Sequence, residues 1–137
     1  MTPTFMLSDD RIAVLGTPGG TRIITMVMLG ILGYDAGLDA QAVAALPRFH
    51  HQWLPDRISA ERGAFSPEVI ARLREMGHTV DAPDEEDEMR RSGGRTSSHS
   101  WGNLQTVAWN LRDNTLEGGT DPRNEVGSAE VQLTPEP

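Results

Sequence analysis

Ile12-Ala-Val-Leu-Gly-Thr-Pro-Gly-Gly-Thr-Arg22, running on through Ile23 to Leu32, is the stretch that decides the fold. Ile12 to Leu15 is a short apolar run suited to a buried strand. It stops at Gly16-Thr-Pro-Gly-Gly20, where glycine and proline together signal a turn. Arg22 to Leu32 then reads as a helix, with Gly33 as its stop. That helix is apolar nearly all round, and such helices are buried. A buried strand, a glycine turn and a buried helix in sequence predict a mixed α/β (α+β) domain.

Outward from this stretch, Asp39 to Leu46 reads as a second short helix, capped by Asp39 and ended by Pro47. Arg57 to Glu61 alternates weakly and suits a strand. Ser66 to Met76 carries the clearest helix signals: Ser66 as N-cap, Pro67 at N1, and Glu68 at the positive end of the dipole. Phe65 and Ile70 stand at hydrophobic-staple positions, and Gly77 suits the C′ position. Val69, Ile70, Leu73 and Met76 make one face of this helix. His78 to Val80 opens a further strand, and Trp101 to Trp109 resumes a strand pattern. Turns are expected at Asp113-Asn114 and at Gly118-Gly119. Residues 82–100 hold acids, arginines, Gly-Gly and Ser/Thr around one Met, so they are expected to be a mobile insertion. Residues 128–137 read as a tail, and the whole chain as one domain.

The chain has 137 residues and a net charge of −8, and all 12 of its basic residues are Arg. A surface this acidic argues against binding a nucleic-acid backbone or anionic lipid. With no cysteine, disulfides, thiolate zinc sites and Cys nucleophiles are excluded. No run approaches the ~20 apolar residues of a membrane span. The first residues, MTPTFMLSDDR, lack the pattern of a signal peptide, so the chain as given is expected in the cytoplasm.

Four constellations are candidates for chemistry. In Gly16 to Arg22, glycines let backbone N–H groups converge at a helix start, a geometry that holds a phosphate, a carboxylate or an oxyanion. Neither a Walker A ending nor the dinucleotide glycine spacing is present. On local evidence a plain tight turn is the first reading and the anion cradle the alternative. Pro47-Arg-Phe-His-His-Gln-Trp53 holds adjacent histidines. Neighbours in an extended segment point opposite ways, so His50 and His51 are expected to be structural rather than to share a metal. His78 and His99 add no spaced partner. Gly118-Gly-Thr-Asp-Pro-Arg123 reads as a structured loop in which Arg123 can pair with a carboxylate, and Asp84 to Glu88 as a solvated acidic face rather than a calcium loop. Thr2 would become an N-terminal nucleophile if Met1 were removed, an arrangement few Met-Thr starts share. No metal or other cofactor is expected.

Taken together, Met1-Thr-Pro-Thr4, Leu15-Gly-Thr-Pro-Gly-Gly-Thr-Arg-Ile-Ile-Thr25, Pro47-Arg-Phe-His-His-Gln-Trp-Leu-Pro55 and Gly118-Gly-Thr-Asp-Pro-Arg123 resemble the γ-glutamyltranspeptidase (glutathione hydrolase) family. The match is to the C-terminal part of its small, catalytic subunit, from Met1 to about Gly127 apart from residues 82–100. The resemblance implies part of an N-terminal-nucleophile hydrolase αββα sandwich, with mostly antiparallel strands and about three helices. It implies cleavage of γ-glutamyl amides such as glutathione through a Thr acyl-enzyme, with transfer to water, amino acids or peptides. It also implies that the backbone amides of Gly19 and Gly20 form the oxyanion hole, as two close-approaching N–H donors would.

In the family, the nucleophilic Thr lies upstream of the motif matching Met1 to Thr4, as do the residues that hold the glutamyl α-amine and α-carboxylate. A Ser-Ser pair that helps bind the carboxylate normally precedes the position of Met1. The chain is therefore expected to be a truncated small subunit, inactive as 137 residues alone. It would act with a large subunit or a missing small-subunit segment, and a full precursor would be periplasmic or extracellular. The alternative is a catalytically empty remnant or assembly module.

Overall fold

The computed structural model describes residues 3–82, 101–123 and 127–131. Two antiparallel strands open it, β1 (Thr4–Leu7) and β2 (Arg11–Gly16). A 3-10 turn over Gly20–Arg22 leads into α1 (Ile23–Asp35), followed by α2 (Ala40–Ala45). Next come β3 (Phe49–His50), β4 (Ile58–Ala60), α3 (Pro67–Glu75), β5 (Val80–Asp81), β6 (Gln105–Asn110) and β7 (Thr115–Thr120). One sheet has the order β1-β2-β6-β7 and is antiparallel throughout; the other is β3-β4-β5, antiparallel between β3 and β4 and parallel between β4 and β5. No helix among the described residues is long and apolar enough to cross a membrane.

Register decides which side of the larger sheet is covered. Ala13 pairs with Ala108 and Leu15 with Thr106, and these four side chains are buried under α1 and α2. Tyr34, Ala40, Val43 and Leu104 complete the core. Small residues on the strands and on α1 let helix and sheet come close. A Cβ on Gly30 would lie 2.6 Å from Leu15 Cδ1, and one on Gly119 only 2.0 Å from the Ala40 carbonyl oxygen. On the opposite face of the sheet, Phe5, Leu7, Val107, Trp109 and Leu116 are exposed. An apolar face of this extent is unusual on a finished surface.

Several local expectations hold. Asp39 caps α2 by accepting from Ala42 N at 2.7 Å, and Ser66 caps α3 by accepting from Val69 N at 3.3 Å. Others do not. Gly33 does not stop α1: it is buried in the helix against Leu46 and Val43, and Gly37, at φ +86°, takes the left-handed turn instead. The helix is not buried all round, because Ile24, Met28 and Leu32 face outward. Of the apolar face of α3, Ile70 and Leu73 are half-buried while Val69 and Met76 are exposed. Gly118 and Gly119 lie within β7, since the close approach of α2 needs a residue without a side chain there. Strands β1, β3 and β7 stand where no strand is expected from the residues. The insertion, beyond Ala82, lies outside the described residues, as does most of the tail. Ala129, in the described part of that tail, lies beside Gly118.

Candidate functional site

The glycine turn sits where β2 ends and the 3-10 turn begins. Gly19 has φ 147° and ψ 12°, and Gly20 has φ 59°, so both occupy the region that glycine tolerates best. Arg22 N donates to the Gly19 carbonyl at 3.1 Å, and Ile23 N to the Gly20 carbonyl. Among the described residues, no backbone carbonyl accepts from the N–H of Gly19 or of Gly20. Gly19, Thr21 and Arg22 form one wall of a small polar cleft of about 180 Å³. His50, Gln52, Arg57 and Ser59 form the other.

His50 is held from both ring nitrogens. Gln52 Nε2 donates to the Leu54 carbonyl at 2.9 Å, which turns the amide oxygen of Gln52 toward His50 Nε2, 2.9 Å away. In the neutral ring Nε2 therefore carries the proton, and Nδ1 accepts from the Thr25 hydroxyl at 2.7 Å. These contacts tie β3 to the first turn of α1. His51 points elsewhere: its Nε2 lies 3.2 Å from Asp56 Oδ1, and its ring meets His78 edge-on with centroids 6.5 Å apart. Among the described residues, no three His, Cys, Asp or Glu side chains gather as a metal site. Thr2, His99 and Asp84 to Glu88 lie outside the described residues.

Behind the cleft is a feature that the residue types alone do not announce. Arg48, almost wholly buried, donates through Nε and Nη2 to the two oxygens of Glu61 at 2.9 and 2.6 Å. Its Nη1 donates to Asp121 Oδ2 at 2.7 Å. Arg123 donates to Asp121 Oδ1 at 3.0 Å and to the carbonyls of Ala45 and Leu46 that end α2, and its Nη2 lies 3.2 Å from Glu61 Oε2. Two guanidinium groups thus meet two carboxylates with balanced charge, as buried ions require. The residue types let Arg123 pair with a carboxylate but do not single out the buried Arg48 at the centre. The only available signal was that Arg48 and Asp121 lie in two of the quoted motifs. The cluster fastens β3 and β4 to the segment after β7, so those two motifs meet in space.

The site therefore combines a sheet under two helices, a glycine turn whose Gly19 and Gly20 N–H groups have no backbone acceptor among the described residues, and a polar cleft beside it. The family model for gamma-glutamyltranspeptidase matches residues 1–131. The chain is 36% identical over 126 residues to the glutathione hydrolase proenzyme of Escherichia coli, covering 90% of this chain and 19% of that protein. It is 32% identical over 131 residues to the glutathione hydrolase proenzyme of a Pseudomonas species, covering 94% of this chain and 22% of that one. Among solved structures, it superposes on a Helicobacter pylori gamma-glutamyltranspeptidase T380A mutant with a TM-score of 0.71 at 28% identity, covering 90% of this chain and 61% of that one. The chain belongs to the gamma-glutamyltranspeptidase family and carries part of its N-terminal-nucleophile hydrolase fold. It spans about a fifth of the length of the two curated relatives.

Proposed function

We propose that this chain supplies the oxyanion-stabilising half of a γ-glutamyl transfer site, with the Gly19 and Gly20 amides as the two donors. The observation that carries this reading is the turn itself. Two adjacent glycine N–H groups have no backbone acceptor among the described residues, and Gly19 lines a polar cleft. A tetrahedral intermediate formed on a γ-glutamyl carbonyl carries its negative charge on oxygen, and fixed backbone donors stabilise that charge without reorganising. In this reading neither hydroxyl of the cleft, Thr21 or Ser59, is the nucleophile. A Thr outside the chain attacks the γ-glutamyl carbonyl, the tetrahedral intermediate collapses with cleavage of the C–N bond and release of the protonated amine, and the resulting acyl ester passes its acyl group to water or another amine, freeing the Thr hydroxyl. Glutathione and related γ-glutamyl amides are the substrate class, and the apolar outer face of the larger sheet receives the remainder of the sandwich.

Two measurements test the proposal. The 137-residue chain by itself should not turn over a γ-glutamyl anilide. Residues 1–131 should then replace the matching segment of the Escherichia coli proenzyme. In that enzyme Gly20→Ala, which keeps the N–H but penalises the φ 59° backbone by roughly 1–2 kcal/mol, should lower kcat about tenfold while changing KM little, the signature of a contact made in the transition state. The space around Gly20 is open, with no atom within 4 Å of an added Cβ, so the substitution acts through backbone conformation rather than collision. An unchanged kcat would end the oxyanion-hole reading. Turnover by the chain alone, abolished by Thr2→Ala, would move the nucleophile to Thr2.

A further inference from the structure

We propose that Thr17 is a positioning residue for the oxyanion turn, acting with Gly102 to fix the direction of the Gly19 N–H. This rests on the reading of Gly19 and Gly20 as the donor pair. Thr17 is completely buried, although its side chain is polar. Its hydroxyl donates to the Pro18 carbonyl at 2.7 Å and accepts from Asn103 N at 2.9 Å. The Pro18 carbonyl and the Gly19 N–H belong to one planar peptide group and point in opposite directions. Holding the oxygen therefore aims the hydrogen. A hydrogen bond to that oxygen also polarises the group and makes its N–H a better donor.

The second donor is built the same way. The Gly20 N–H shares its peptide plane with the Gly19 carbonyl, which accepts from Arg22 N at 3.1 Å. Both donor planes are thus pinned through their carbonyl ends, leaving the N–H ends available. Gly102 closes the far side of the Thr17 contact. A Cβ there would lie 2.1 Å from the Pro18 oxygen and 2.6 Å from Thr17 Oγ1, and the residue has φ +89°. Only glycine fits beside the pinned carbonyl. A valine would fill the place of Thr17 equally well in apolar terms, so the hydroxyl serves orientation rather than packing.

The test uses Thr17→Val, which keeps the shape and removes the hydroxyl, and Thr17→Ser, which keeps the hydroxyl. In the 137-residue chain, 15N relaxation should show the Gly19 and Gly20 order parameters falling from about 0.85 to below about 0.6 in Thr17→Val, with α1 and the larger sheet unchanged. Thr17→Ser should retain the rigid values. In the assembled enzyme described above, Thr17→Val should lower kcat about tenfold at nearly constant KM, and Thr17→Ser should restore most of it. Unmoved glycine order parameters in Thr17→Val would overturn the proposal, and so would a Thr17→Ser variant as impaired as the valine. Loss of kcat in Gly20→Ala without loss in Thr17→Val defeats only the positioning role. Retention of kcat in Gly20→Ala defeats the oxyanion reading on which it rests.

Discussion

Single atoms set the tolerances of this structure. Gly119 sits in a strand where any Cβ would lie 2.0 Å from the Ala40 carbonyl oxygen, a backbone atom that cannot step aside alone. Gly119→Ala should therefore cost about 3 kcal/mol, the upper end of overpacking, read as a shift in the urea midpoint. A cost below about 0.5 kcal/mol would mean that α2 docks loosely. Tyr34 gives a pH-dependent counterpart. Its hydroxyl lies 2.7 Å from Thr106 Oγ1, whose own proton goes to the Val14 carbonyl, so Tyr34 donates. Burial, foremost, raises its pKa above the ordinary phenol value of 10.0. The folded state then holds the proton more tightly than the unfolded chain. That stability is complete below pH 10.0 and is lost as pH rises through the higher folded pKa. Tyr34→Phe should abolish this alkaline loss and cost about 0.5–1.5 kcal/mol at neutral pH. Melting curves at pH 7 and above 10 check both.

Between elements, the buried ions are the main cross-link. Arg48 leads into β3, Glu61 follows β4, and Asp121 and Arg123 follow β7, so one cluster ties the smaller sheet to the end of the larger. Removing one partner leaves a buried charge uncompensated, which costs about 3–5 kcal/mol. Asp121→Ala should lose that much in denaturant unfolding. Because Arg48 also underlies β3, the variant should disturb the resonances of His50, whose ring bridges to Thr25. A near-neutral Asp121→Ala would show that water reaches the cluster and screens it. The helices teach a complementary lesson. The caps of α2 and α3 were readable because Asp39 and Ser66 bond residues three positions on. The end of α1 is not legible locally, because Gly33 serves close packing against Leu46 and Val43, which a local pattern does not distinguish from a stop.

For the whole molecule, the controlling fact is that, among the described residues, helices cover the larger sheet on one side only. Ala13, Leu15, Thr106 and Ala108 lie under helices, whereas Phe5, Leu7, Val107, Trp109 and Leu116 meet solvent. A β-sandwich or αββα arrangement places a second sheet against such a face, about 10 Å away. The isolated chain should accordingly bind a hydrophobic dye and associate at higher concentration. The double variant Val107→Thr, Leu116→Thr should weaken both without lowering the melting temperature greatly, as neither side chain is in the core. Sedimentation velocity across a concentration series reads the association. A chain that stays monomeric and dye-free would show that its outer face is already satisfied.

The sequence by itself determined the α/β class, the strand–glycine turn–helix order, the capped starts of α2 and α3, and the family through its long motif strings. Each depends on residues close together in the chain, or on their identity alone. Tertiary structure decided the rest. Thr17 meets Asn103 across 86 positions, Arg48 meets Asp121 across 73, and β2 pairs not only with its neighbour β1 but with the distant β6. It also decided which apolar faces were covered, burying one side of the larger sheet and leaving that of α3 only partly covered. Hydrophobic periodicity records that a face is apolar but not what lies against it, and a buried ion or hydroxyl has no signature until its distant partner is in place.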